Sequence, residues 1–223
     1  MGDVRLVTGN FGLSQTPDAA SSLFDPVLGG GAVAHLGVYP LSLAQWLFGA
    51  PTLVQAIGTI GPTGVDEDAA FQLKYPGGVI GSFLVSIRAW APDDFQVLGS
   101  EGLIAVRGAI LRPYGLDVSH EPPRAAEGAR FDWRGRLRQH ALVHTIAQHM
   151  GRSRRSRAKR IAYHYAGNGY HSEADEVRAC VERGVGESAV MPLNDSVAVA
   201  RTMDAIHKAI RSRATACVGS DPT

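Results

Sequence analysis

Hydrophobic and polar positions fall into two regimes along the chain, one with period two and one with the wider spacing of a helix. Val4, Leu6 and Thr8 alternate with Asp3, Arg5 and Val7 before Gly9-Asn10 and Gly12, which reads as a strand beginning almost at the first residue. Residues 14–26 are a polar loop, and the triplet Gly29-Gly30-Gly31 then opens a helix that ends near Phe48-Gly49, with Pro51 beyond it as a stop signal. Pro40 lies inside that helix. It removes one backbone donor and crowds the Leu36 carbonyl, so a kink is expected just after Tyr39.

Strand patterns follow at residues 53–60, 67–75, 79–88, 94–98 and 102–107. Pro76-Gly77-Gly78 and Gly99-Ser100-Glu101-Gly102 are short connections, and short connections favour antiparallel pairing. Residues 110–133, with Pro113, Pro122 and Pro123, are ambiguous in pattern. Two helical stripes close the chain. Tyr170, Ala174, Val177 and Val181 form the first, with Glu173 in its opening turn and Gly184 placed to end it. Leu193, Val197, Ala200, Met203, Ile206 and Ile210 form the second, after Asn194 as N-cap. The class expected is α+β, a predominantly antiparallel open sheet with helices packed on one face. Residues 1–211 read as one domain with a basic insertion near 140–162, and residues 212–223 as a flexible tail.

Composition narrows the partners. The 223 residues are 45% hydrophobic, enough for a real core, and 22 Lys and Arg against 21 acidic residues leave a net charge of +1. That balance supplies no global field for nucleic acid or an anionic membrane. Cys180 and Cys217 do not form a disulfide framework, which points to a reducing compartment, and no leader or membrane-spanning window is apparent, so the cytoplasm is the expected location. Six cations crowd residues 152–160 and could grip a phosphate, including the extra phosphate of a dinucleotide, or bind nucleic acid weakly, but no aromatic residue interleaves them, so a solvated loop is favoured. His140 and His144 are four apart with His149 nearby, yet neither an HExxH glutamate nor a cysteine accompanies them, and no metal site is expected.

His35 and Tyr39 are the candidate chemistry. At four residues apart on a helix both rings would project from one face, beside a glycine run that lets a ligand approach the backbone. A lone tyrosine on such a face is more often a packed core residue.

The run Asp25-Pro26-Val27-Leu28-Gly29-Gly30-Gly31, continuing through Leu36-Gly37-Val38-Tyr39-Pro40-Leu41 to Leu47-Phe48-Gly49, resembles the start of the C-terminal domain of the Gfo/Idh/MocA oxidoreductases, in their dihydrodiol and sugar dehydrogenase branch. Gly64-Val65-Asp66-Glu67, Tyr75-Pro76-Gly77-Gly78, Gly99 to Ile104, Gly167-Asn168-Gly169-Tyr170 and Met191-Pro192-Leu193 follow in the same order. The resemblance covers about residues 2–210, apart from the basic segment. It implies NAD(P)-dependent oxidation of a sugar or trans-dihydrodiol-type secondary alcohol, with a preceding Rossmann domain that holds the cofactor and a Glu-Lys-Pro motif.

This chain starts where the family's second domain starts, so it is expected to bind neither NAD nor NADP alone and to be inactive by itself. Gly58, Gly61 and Gly64 read as turn glycines rather than a phosphate cradle. The resemblance assigns Tyr39 to proton transfer; a free phenol near pKa ~10 needs a neighbouring cation, which in the family is the lysine of the missing motif. His35 stands where the family usually has an aspartate. Either it binds a different substrate, or selection on the old reaction has lapsed, or it has no chemical role. Tyr163 and Tyr165 fall where the family often places an aromatic wall of the substrate pocket, although each taken singly fits a packed strand aromatic better. A homodimer through the exposed sheet face and, for activity, a separate Rossmann-domain chain are the partners implied. The alternative is a non-catalytic binding or assembly module derived from the same domain.

Overall fold

The computed structural model describes residues 1–18, 20–120, 158–165 and 167–217, the last five by backbone alone. His140, His144, His149 and residues 152–157 of the basic run lie outside the described residues.

Eight strands among the described residues form one open sheet: β1 Val4–Gly12, β2 Leu53–Ile60, β3 Asp66–Lys74, β4 Ile80–Ser86, β5 Asp94–Gly99, β6 Gly102–Arg107, β7 Gly115–His120 and β8 Lys159–Ala162. Their spatial order is β2-β3-β4-β1-β5-β6-β7-β8. Every pairing is antiparallel except β1 with β4. The two turns read from the sequence do join β3 to β4 and β5 to β6 as antiparallel neighbours. The unexpected placement is that of β1, which sits in the middle of the sheet, parallel to β4 and antiparallel to β5.

A close approach explains that placement. Gly9 pairs with Phe83 on one side and Phe95 on the other, and a Cβ there would lie 3.3 and 3.4 Å from those two rings. The rings of β4 and β5 therefore close over β1, with centroids 6.4 Å apart, and Phe71 of β3 continues the row at 5.5 Å from Phe83. All three are buried. Each ring removes enough apolar surface from water to be worth about 1.5–3 kcal/mol, and glycine is the residue that lets them meet across a strand.

The same face carries the helices. A single π turn, Val33–Gly37, leads into α1, Val38–Phe48, while α3, Leu193–Cys217, crosses over β2 and packs against α1. The disturbance caused by Pro40 thus lies ahead of Tyr39, not after it as expected. Without an N–H at Pro40 the Leu36 carbonyl has no ordinary i→i+4 donor, and the wider turn upstream takes up the misfit.

Five further expectations are corrected. The helix α2, Tyr170–Glu182, leaves Tyr170, Val177 and Val181 64%, 63% and 72% exposed and buries Cys180 instead. It is held by the loop that follows it, where Ser188 Oγ donates to Glu176 Oε1 at 2.7 Å and the Val185 N–H donates to the Cys180 carbonyl at 3.0 Å. Asn194 lies inside the first turn of α3; the exposed helix start is met by Glu187, whose Oε2 accepts from the Leu193 N–H at 2.8 Å. The buried stripe of α3 is Val199, Thr202, Ile206 and Ile210, with Leu193 and Val197 exposed, because the helix reaches the sheet only from Val199 onward. Residues 159–162 of the presumed basic insertion are the eighth strand, and Gly58 is a strand residue beneath Ile210, not a turn glycine. No helix among the described residues is long and apolar enough to cross a membrane.

Tyr75, at the end of β3, is buried against Phe48 at 5.5 Å, and that burial pushes its hydroxyl well above the ordinary tyrosine range. A raised folded-state pKa means stability that is intact below pH ~10 and declines as the pH rises above it, since the unfolded chain ionises first. Urea unfolding of Tyr75→Phe is expected to lose part of the alkaline decline seen in the wild-type chain between neutral pH and pH ~11; identical pH profiles would contradict the assignment.

Candidate active site

Tyr39 occupies the first turn of α1, and its ring stacks on Phe11 with centroids 5.4 Å apart and planes at 23°. Phe11 is buried near the end of β1, whereas Tyr39 is 39% exposed. One face of the phenol is thus fixed by packing and its edge is open to solvent. Among the described residues its hydroxyl has no hydrogen-bond partner. His35 lies in the π turn, half-buried, and likewise makes no side-chain hydrogen bond among the described residues.

The start of this segment is built around one carboxylate. Gly31 has φ +121°, a conformation that L side chains rarely adopt, and a Cβ there would strike the Asp66 carboxylate. Asp66, buried at the start of β3, accepts from the Val33 N–H at 2.7 Å through Oδ2. Its Oδ1 lies 3.2 Å from His207 Nε2 on α3. A cavity of about 200 Å³ beside this junction is lined by Gly29, Gly30, Ala34, Asp66, His207 and Arg211 among others.

The carboxyl ends of the parallel pair β1 and β4 meet at the same end of the sheet. The pairing runs on past both strands, with the Leu13 N–H donating to the Ser86 carbonyl at 3.0 Å and the Gln15 N–H to that of Ile87 at 2.9 Å. Arg88 ties the segment down: its guanidinium donates to the Gln15 carbonyl at 3.2 Å and lies 3.4 Å from the buried Glu67 carboxylate. Ser86 Oγ donates to Asp68 Oδ1 at 2.6 Å and accepts from the Arg88 and Ala89 N–H groups. On the face opposite the helices, Ile57, Thr59, Ala70, Leu84 and Ser86 help line an open groove of about 460 Å³.

Tyr163 and Tyr165 follow β8, with ring centroids 5.9 Å apart, and the Tyr163 N–H donates to the Tyr114 carbonyl at 2.9 Å. They emerge at the same end of the sheet as Phe11 but four strand positions away, roughly 19 Å by strand spacing. Among the described residues no ring contact or hydrogen bond joins them to Tyr39 or His35. Of the sequence candidates, His35 and Tyr39 share one segment and the two later tyrosines form a separate pair. Asp66, His207, Phe11 and Arg88 were not singled out by sequence reasoning. The signal that bore on them was the acidic run Asp66-Glu67-Asp68 at the head of an otherwise apolar strand, which demands buried partners.

Residues 1–105 match the family model described as the GFO/IDH/MocA C-terminal domain. The trans-1,2-dihydrobenzene-1,2-diol dehydrogenase of Bos taurus is 30% identical over 216 residues, an alignment covering 94% of this chain and 55% of the relative. That of Mus musculus is 30% identical over 219 residues, covering 94% and 54%. Among solved structures, the aldose-aldose oxidoreductase from Caulobacter crescentus, complexed with glycerol, superposes with a TM-score of 0.68 at 20% identity, covering 95% of this chain and 54% of its own. A 3-ketoreductase from Actinomadura kijaniata, solved with NADP and TDP-benzene, gives 0.67 at 16% identity, covering 94% and 55%. These two share the fold. The chain spans about half the length of the relatives it matches.

Replacing Gly31 with Ala is expected to destabilise the chain by about 1–3 kcal/mol, from the strained φ and the displaced Asp66 carboxylate together. Urea unfolding measures this, and a neutral result would mean that the glycine is not required there.

Proposed function

Because this chain belongs to the Gfo/Idh/MocA oxidoreductases, through the domain type that forms their C-terminal part, we propose that it is the substrate-binding and oligomerisation half of an NAD(P)-dependent dehydrogenase. The substrate is a sugar or a trans-dihydrodiol-type secondary alcohol. The observation that carries this reading is Tyr39, held on one face by Phe11 and open at its edge, at the sheet end where β1 and β4 finish side by side.

Oxidising a secondary alcohol removes a hydride from carbon and a proton from oxygen, and the proton half falls to a group within hydrogen-bond reach of the hydroxyl. Tyr39 has the geometry for that task. Its ring cannot swing away without losing the Phe11 stack, and its hydroxyl is uncommitted among the described residues. A phenol near pKa ~10 needs a cation beside it to act at neutral pH, and the Glu-Lys-Pro lysine implied by the family would come from another domain.

Among the described residues, the glycine loop at residues 29–31 does not fit the diphosphate of a dinucleotide. The glycine-opened helix start, where backbone N–H groups could meet phosphate, is already taken by the buried Asp66 carboxylate, and a second anion there would face like charge. A dinucleotide would therefore be held by a separate Rossmann domain, on this chain or another. His35, in the position where the family usually has an aspartate, supports the second reading, a non-catalytic module: the exchange removes a negative charge from beside Tyr39.

The outer sheet face supports self-association. Leu6, Leu53, Ile57, Ile80 and Leu84 are all exposed on it around the 460 Å³ groove, an apolar surface large enough to call for a cover. We expect a homodimer through this face in sedimentation velocity, and a monodisperse monomer at micromolar concentration would count against it.

Calorimetry on the 223-residue chain is expected to give no saturable NADP binding; micromolar affinity would overturn the like-charge argument at Asp66. When a Rossmann domain bearing the Glu-Lys-Pro motif is supplied and alcohol oxidation is recovered, Tyr39→Phe is expected to lower turnover by about 10²–10⁴-fold. An unchanged rate would remove Tyr39 from the mechanism. Absence of any oxidation in a folded, cofactor-loaded pair would favour the non-catalytic module.

A further inference from the structure

We propose that Asp66 is a positioning residue for Tyr39, with His207 as its anchor on α3. Residues 32–44, the segment that carries His35 and Tyr39, are held mostly by apolar contacts, through Ala32, Val33, Leu36, Leu41 and Ala44. Such contacts are non-directional and leave a helix free to turn or slide by small amounts. Among the described residues, two hydrogen bonds tie this segment and the rest of α1 to other secondary-structure elements: the 2.7 Å bond from the Val33 N–H to Asp66 Oδ2 ahead of Tyr39, and the 2.9 Å bond from Gln45 Nε2 to Asp195 Oδ1 on α3 beyond it, so the end that leads into Tyr39 is set at Asp66. Charge-assisted and buried, the Val33 bond is strong and directional, and it fixes the first residue of the π turn relative to β3.

The carboxylate itself is not free to rotate. Its second oxygen faces His207 Nε2 at 3.2 Å, and the glycine loop closes over it at Gly31, where no side chain fits. Three elements distant in sequence, the glycine loop with its π turn, β3 and α3, therefore converge on one buried group. Tyr39 lies less than two helical turns beyond the fixed N–H, so a shift at Val33 is carried to the phenol with little loss. What Asp66 sets is the axial and rotational register with which the ring meets Phe11.

Proton transfer by Tyr39 belongs to the function proposed above, but the placing of its ring by Asp66 does not depend on that chemistry. The test accordingly reads the ring and not turnover. The 223-residue chain is prepared with carbon-13 in its tyrosine rings, and the Tyr39 signal is assigned by its disappearance in Tyr39→Phe. Tyr75, buried just after β3 against Phe48, is the internal control.

In Asp66→Ala the Tyr39 signal is expected to move toward the position of an unstacked tyrosine while the Tyr75 signal stays in place. Asp66→Asn keeps an acceptor for the Val33 N–H and is expected to restore most of the wild-type position. His207→Gln, which retains a polar contact to Asp66, is expected to shift Tyr39 in the same direction by a smaller amount. A folded Asp66→Ala chain with Tyr39 unmoved would overturn the proposal. So would Tyr39 and Tyr75 moving together without rescue by Asn, which is the mark of a general loss of structure. If Asp66→Ala fails to fold, an unmoved Tyr39 in His207→Gln overturns it equally. Failure of Tyr39→Phe to affect turnover would remove the catalytic reading and leave this one standing.

Discussion

The closing of Phe83 and Phe95 over Gly9 is the contact on which the rest of the architecture depends. It holds β1 between β4 and β5, and so converts what would be a chain of hairpins into a sheet with one parallel pair at its centre. Parallel neighbours cannot be joined by a tight turn, and the segment that leaves β1 must cross the sheet before β4 is laid down. That crossing segment contains the glycine loop, the π turn and α1. The segment with Tyr39 is thus pinned to the sheet face by the topology: its π turn packs on β1, β3 and β4, and Tyr39 just beyond it stacks on Phe11 near the end of β1. A Cβ at position 9 would press on both rings, at 3.3 and 3.4 Å, and loosen their closure over the strand.

Hairpins were legible in the sequence because Pro76-Gly77-Gly78 and the Gly99 to Gly102 turn are too short to permit any other pairing. The central position of β1 was not legible, since alternation reveals which face a residue occupies and is silent about which strand lies alongside. The helix stripes failed for a related reason. Tyr170, Val177 and Val181 have the spacing of a buried face, but burial requires a surface opposite, and α2 is held by Glu176, Cys180 and the loop after it. Glu176 gains from this arrangement, the Ser188 hydroxyl and the Cys180 thiol holding its carboxyl below the usual range. Polar docking of that kind leaves no periodic trace.

The site divides in the same way. Tyr39 could be found because the glycine triplet and the residues after it form a run with a family likeness, and the family model extends over that part of the chain. Asp66 was visible only as part of a matching block, with no chemistry attached. Its neighbours Glu67 and Asp68 carry the same charge, and the three differ only in what the fold brings to them: a helix N–H and His207 for Asp66, Arg88 for Glu67, Ser86 for Asp68. The partners come from three pieces of chain: the π turn, α3, and the end of β4 at Ser86 with Arg88 just past it. A run of three carboxylates entering an apolar strand is costly unless every one is met, which is the physical hint that such runs mark junctions between elements.

The relation of His35 to Tyr39 follows from Pro40 and Asp66 acting at opposite ends of the same short stretch. Their four-residue spacing would set the rings one above the other on a helix of ordinary pitch. Pro40 withholds the donor that such a pitch requires at Leu36, and Asp66 fixes the N–H of Val33, so the misfit must be absorbed between them. It is absorbed as a π turn, which is wider and advances less rotation per residue. His35 stands within that turn and Tyr39 just past it, so the angle between the two rings is set by the turn and not by their spacing in sequence. An aspartate at position 35 would sit on the same widened turn, and the exchange to histidine alters charge and size at a position whose direction the backbone has already decided.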